Sequence, residues 1–140
     1  MSSHWSLPYI GLAYDIAGDG PDAFNCWSFF RHVERERFAR ELPAVPAVDR
    51  LPAIVRVFRD RSDTFGWRRL AKAEKRNDGD AVLMSHRDRP HHVGVWVESM
   101  PACAVLHCTE GVGSVLHSPF HLDIAGWNIV GTYRPVQEQA

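Results

Sequence analysis

Apolar residues recur at helical spacing along one early stretch, at Phe24, Trp27, Phe30, Val33 and, less regularly, Phe38, with Arg31, Glu34, Arg35 and Arg40 between them. Asp22 and Asn25 are candidate caps, so the spacing predicts a helix from about Asn25 to Glu41 with Cys26 in its first turn. Leu42-Pro43-Ala44-Val45-Pro46 stops that helix, because proline lacks the amide proton and crowds the preceding turn. Leu51, Ile54, Val55 and Phe58 predict a second, shorter helix that ends near the Arg59–Ser62 polar run. Past Trp67 and a charged segment reaching Asp78, the pattern changes character. Ala81–Met84, His92–Val97, Cys103–His107, Gly113–Leu116 and Asn128–Tyr133 are short β-rich runs separated by Gly, Pro, Asp and Ser. Helices first and strands afterwards predict an α+β domain, its N-terminal helices packed on a mostly antiparallel sheet of about five strands.

Composition narrows this further. A chain of 140 residues is about one domain, taken here as 1–140, and 45% hydrophobic residues supply a core that excludes intrinsic disorder. Sixteen basic against 17 acidic side chains leave a formal charge of −1, so no global field draws the chain to nucleic acid or anionic lipid. No apolar run reaches the ~20 residues of a membrane span, and Met1–Pro8 has neither the basic nor the apolar region of a signal peptide. The expectation is a protein made in a cytosol, without membrane insertion. Cys26, Cys103 and Cys108 are an odd number and too few for a disulfide framework, which fits reduced thiols. The charged run Arg68–Arg76 reads as a solvated helix surface.

Cysteine in the first turn of a helix meets free backbone N–H groups and the positive end of the helix dipole, which favour its thiolate. Cys26 is therefore a candidate nucleophile, and the same N–H groups would hold the oxyanion formed when a carbonyl is attacked. Its candidate base is His92, which opens an apolar strand at what reads as a strand end. His107 ends the next predicted strand and lies near His92 if the two strands are antiparallel neighbours, placed to fix its tautomer. Each residue taken singly also fits plain packing. A metal site finds less support. Cys103 and Cys108 lack a second pair to complete a zinc site, and His91 and His92 point to opposite faces of one strand, with His86 nearby. His4, His32, His117 and His121 show no pairing at ligand spacing.

Tyr14, Phe24-Asn25-Cys26-Trp27, Gly79-Asp80-Ala81-Val82-Leu83-Met84, His92-Val93-Gly94-Val95 and Leu106-His107 stand in an order and spacing that resemble the NlpC/P60 family of cell-wall cysteine peptidases. The resemblance runs from about Tyr9 to Pro135. The closing Gly131–Pro135, the Cys-Trp pair and the lack of a signal sequence look most like the short members encoded among bacteriophage tail genes. It implies a papain-like fold, with Cys26 attacking an amide carbonyl, His92 as base and then acid, His107 orienting His92, and Tyr14 helping to hold the oxyanion. The implied substrate is the stem peptide of peptidoglycan, often cut at the γ-D-glutamyl to diamino-acid bond, with no metal or organic cofactor. Implied partners are tail-tip proteins and the implied location is the virion, assembled in the bacterial cytoplasm.

The chain departs from the family pattern where Asp usually precedes the cysteine and Gly flanks the motif. Asn25 removes a negative charge, whose usual partner would be left unpaired, and Ala23 and Ser28 add atoms that would tighten the groove beside the thiol. These changes favour an alternative, a weak or inactive structural component of the tail tip that keeps the peptidase fold. His4-Trp5, Trp67 and Trp127 would then suit an interface. A thiol acyltransferase or amidase on a related scaffold is a third reading.

Overall fold

The computed structural model describes residues 4–43, 58–60, 62–86, 89–98 and 103–136. Two short strands, β1 (Ala13–Tyr14) and β2 (Ala23–Phe24), lead into α1 (Cys26–Phe38). The sheet then forms from β3 (Trp67–Arg69), β4 (Ala81–His86), β5 (Arg89–Val97), β6 (Ala104–Thr109), β7 (Gly113–His117) and, after the short helix α2 (Pro119–Ile124), β8 (Trp127–Pro135). Its strand order is β3-β8-β4-β5-β6-β7, with every neighbouring pair antiparallel. The α+β class and the mainly antiparallel sheet are as the sequence predicts. The large sheet has six strands rather than about five, because β3 adds an edge beside β8. Of the predicted second helix, residues 58–60 are helical and the remainder lies outside the described residues.

Asn25 fixes where α1 begins. Its side-chain oxygen accepts the Ser28 N–H at 2.8 Å while Ser28 Oγ accepts the Asn25 N–H at 3.0 Å, a reciprocal cap that satisfies two otherwise orphan donors. Asn25 Nδ2 also donates to the Ile16 carbonyl at 2.9 Å, a bond an aspartate could not make. The departure from Asp thus leaves no orphaned partner among the described residues. Ser28, expected to narrow a groove, instead turns its hydroxyl into the cap and donates to the Gly18 carbonyl at 2.8 Å. The helix stops at Phe38, three residues before the predicted Glu41, with Ala39 in the left-handed region at φ 56°. The reversal brings Arg40 back onto the buried Glu34 carboxylate at 2.9 Å and the Gly79 carbonyl at 2.7 Å. A buried carboxylate needs such a cation, and helical periodicity alone does not encode it.

The pleat sends alternate residues to two separate apolar layers. Phe29, Phe30 and Val33 of α1 pack with Leu83, Val93, Val95, Val97, Leu106, Cys108 and Tyr133 on one side. Val82, Met84, Trp96 and Val105 pack with Leu122 of α2 on the other. β4 is covered on both sides, which is why it reads as an unbroken apolar run. Trp67, expected to suit an interface, is buried among Phe30, Phe58 and Arg40.

Arg68–Arg76 is not a helix surface. Arg68 and Arg69 belong to β3, and Glu74 turns back to pair with Arg68 and to approach Arg134 at 3.5 Å. Arg134 in turn grips the buried Asp80 through Nε at 2.9 Å and Nη2 at 2.7 Å, and donates to the Lys75 carbonyl. Asp80, part of the Gly79–Met84 motif, thereby ties the start of β4 to β8 and to the loop before it.

Candidate active site

β5 and β6 are paired from Val95–Leu106 to Val97–Ala104, and the ladder stops short of Val93. Trp96 exchanges backbone hydrogen bonds with Gly79 and Asp80 on the β4 side, so by alternation the Val93 N–H points to the β6 side, where pairing has ended. Cys26, first residue of α1, places its thiol at this N–H, which stabilises its anion. Gly94 lets the strands close just beyond: a Cβ there would stand 2.6 Å from Val105 Cγ1 and 3.0 Å from the Leu106 carbonyl oxygen.

Burial dominates the environment of the thiol. Cys26 is 1% exposed, and loss of solvent, with a smaller contribution from Cys108, pushes its pKa up to about 12 against the opposing Val93 N–H. A helix-start position alone predicts a lowered pKa; full enclosure of the side chain reverses that direction. Cys108 is pushed up to about 11 by burial and directs its Sγ at the Phe24 carbonyl, 3.5 Å away.

His92 also lies deeper than a strand-end position suggests. β5 begins at Arg89, and the His92 ring is 2% exposed, stacked on Trp127 with centroids 4.4 Å apart and planes at 22°. Burial, then the charge of His86, pushes its pKa down to about 3. His92 Nε2 lies 2.7 Å from His107 Nδ1, the juxtaposition expected of antiparallel neighbours, although β6 continues to Thr109 beyond His107. That contact leaves Nδ1 as the one ring nitrogen His92 can offer a reacting group. His107 is fully buried and held well below its ordinary pKa by burial and by His92 and His117.

Cys26 and His92 approach the seam from different sides. His92 pairs with Met84 in the layer that holds Trp127, whereas Val93 faces the α1 layer with Cys26. Among the described residues no hydrogen bond joins the Cys26 thiol to His92, so both groups rest neutral. Tyr14 is near enough that a Cys26 thiolate would raise its pKa, which burial has already raised. It is held there by pairing of β1 with β2 and by Gly11 and Leu12, which hydrogen-bond to Ser114 on β7.

Two residues complete the site, His117, which shows no pairing by sequence spacing, and Trp127, which the sequence reading offers to an interface. His107 Nε2 lies 3.0 Å from His117 Nδ1, and Trp127 covers His92 and meets His107 edge-on. The His117 contact was recoverable from hairpin arithmetic. A turn between Thr109 and Gly113 pairs His107 with Val115, so His117 falls diagonally next to it on the same face. Among the described residues no three His, Cys, Asp or Glu side chains converge in a way that would hold a metal ion. None of the described helices is long and apolar enough to cross a membrane.

The enclosure orders the three thiols. Native-state alkylation should modify the half-exposed Cys103 first, with Cys26 and Cys108 about tenfold slower or more, measured by peptide mapping over time. Preferential labelling of Cys26 would show that the seam opens readily in solution.

The fold and this site define an α+β protein with a helix-start cysteine seated at a strand seam beside a buried histidine chain. The chain matches no family model and no curated protein.

Proposed function

We propose that this protein is a papain-like cysteine peptidase of the NlpC/P60 type, cleaving peptidoglycan stem peptides as part of a phage tail tip. The observation that carries this reading is the 2.7 Å contact between His92 and His107 beside a cysteine at N1 of the helix packed on the same sheet. Virion location and tail-protein partners rest on the resemblance in sequence. In this reading, substrate binding parts the seam and brings Cys26 to His92 Nδ1, since catalytic contacts often tighten only once substrate is present. The thiolate attacks the amide carbon, and the Cys26 N–H with the Tyr14 hydroxyl holds the oxyanion. His92 then protonates the leaving amine, and water hydrolyses the thioester with His92 as base.

The second reading, a structural tail component that keeps the peptidase fold, is favoured by one specific observation. The 1% exposed thiol and the His92 ring make no hydrogen bond to each other. Incubating purified peptidoglycan with the protein and identifying soluble products by mass spectrometry separates the two. Stem-peptide fragments with a new amino terminus are expected; intact peptidoglycan, with or without tail proteins added, overturns the peptidase reading.

A further inference from the structure

We propose that His117 is the outer end of a three-imidazole relay that sets the tautomer of His92 and carries a proton between the buried site and solvent. The direction in which the relay is used rests on the peptidase reading; its existence does not. His92 Nε2 lies 2.7 Å from His107 Nδ1, and His107 Nε2 lies 3.0 Å from His117 Nδ1. His107 therefore spends both ring nitrogens on the chain. The rings run outward from the 2% exposed His92, through the fully buried His107, to the half-buried His117 on β7.

A neutral imidazole has one donor and one acceptor, so three neutral rings joined in this way have two consistent settings. In the first, every ring carries its proton on Nε2: His92 donates to His107, His107 donates to His117, and His117 Nε2–H faces outward. His92 Nδ1 is then an acceptor, as a base must be. In the second, every ring carries its proton on Nδ1, each donates inward, and His92 Nδ1–H can only act as an acid. The tautomer of the outermost ring thus dictates that of the innermost.

Such coupling answers a difficulty posed by the burial of His92. A cation at that ring is opposed by desolvation, which makes it a poor base by itself. In the relay, His92 Nδ1 takes the Cys26 proton, His92 Nε2–H passes to His107 Nδ1, and His107 Nε2–H passes to His117 Nδ1. His117 Nε2–H goes to water. One proton leaves the thiol and one enters solvent, the rings end neutral in the second setting, and no buried imidazolium remains. When His92 Nδ1–H is given to the leaving amine, the same steps run in reverse and His117 recovers a proton from water.

Protonating His117 on both nitrogens would force the second setting, because its Nδ1–H can then only donate to His107. The titratable groups on the elements packed against β7 are His107 and Cys108 on β6, Tyr14 on β1, and His121 and Asp123 on α2. Burial opposes the His117 charge most strongly, and the His121 charge opposes it further.

Long-range proton–nitrogen NMR of the full chain, labelled at histidine nitrogen, reads each tautomer directly without substrate. The expected result is Nε2–H on His92 and His107 near neutral pH, with both switching to Nδ1–H at the same midpoint as His117 takes up its proton. Unchanged tautomers at His92 and His107 through that titration would overturn the relay. His117→Asn supplies the second test, because its Oδ1 replaces the acceptor but cannot pass a proton on. It should keep Nε2–H on both inner rings, abolish the pH switch and slow cleavage by about tenfold or more. Full-rate cleavage by His117→Asn would overturn proton carriage and leave the peptidase reading intact. A concerted tautomer switch in a wild-type protein that cleaves nothing would uphold the relay and end the peptidase reading.

Discussion

Lowering the pH from about 6.5 to 5 should remove stability, at a slope that approaches about 1.4 kcal/mol per pH unit for His92, with His107 adding in the same direction. Both rings are buried and held neutral by desolvation, His92 down to about 3 and His107 also well below its ordinary value. In the unfolded chain each takes a proton near pH 6.5, so below that pH the unfolded state binds more protons than the folded one. Stability then rises with pH, is fully present above about 6.5, and is lost progressively as the pH falls toward the folded values. The window from 6.5 to 5 lies above the range where carboxylates titrate, which isolates the histidines. Urea unfolding at several pH values gives the slope. His107→Asn keeps an acceptor for His92 Nε2–H but has no proton to gain, so its slope should fall by one histidine whatever its absolute stability. An unchanged slope would mean that the buried rings are not the source.

Asp80→Ala should destabilise the fold by about 3–5 kcal/mol, because it leaves the Arg134 guanidinium without its carboxylate in a nearly closed environment. Two bonds, at 2.9 and 2.7 Å, hold Arg134 to Asp80, and Asp80 Oδ2 also accepts the Asn77 N–H at 2.8 Å. Glu74 does not substitute for Asp80, since it stands 3.5 Å from Arg134 and is already paired with Arg68. A cost this large consumes much of the 5–15 kcal/mol available to a small domain. Chemical denaturation of wild type, Asp80→Ala and the double variant Asp80→Ala/Arg134→Met checks it. The double variant should recover part of the loss, because it removes the stranded cation as well. A loss under about 1 kcal/mol in Asp80→Ala would place this pair with ordinary surface contacts.

What the sequence made legible divides along physical lines. The start of α1 was readable because capping chemistry is local: Asn25 and Ser28 are three residues apart and satisfy each other. β4 to β8 were readable because each carries a burial pattern four or more residues long, and the two-residue β1 and β2 are too short for one. β3 was not readable, since three residues beginning Trp67-Arg68-Arg69 carry no period, and their strand character comes from pairing with Tyr133–Pro135. The helix α2 was missed for its six residues, although Ser118 followed by Pro119 is a start signal. At the site, the closeness of His92 and His107 followed from antiparallel neighbours. The environment of Cys26 did not. Its exposure depends on Tyr14, Cys108 and the end of the β5–β6 ladder, which are far apart in sequence, so the helix end alone points to the wrong direction for its pKa. Trp127, drawn over His92 by the pairing of β8 with β4, is equally non-local.

The proposed role of the Cys26 sulfur as nucleophile is tested by release of soluble stem peptides from purified peptidoglycan by wild type and by Cys26→Ala at equal concentration. Thermal melts of both proteins serve as the folding control. Fragments are expected from the wild type, reduced by about 10³-fold or more in a Cys26→Ala variant that melts like a folded domain. Equal release of the same fragments by both proteins would contradict that role.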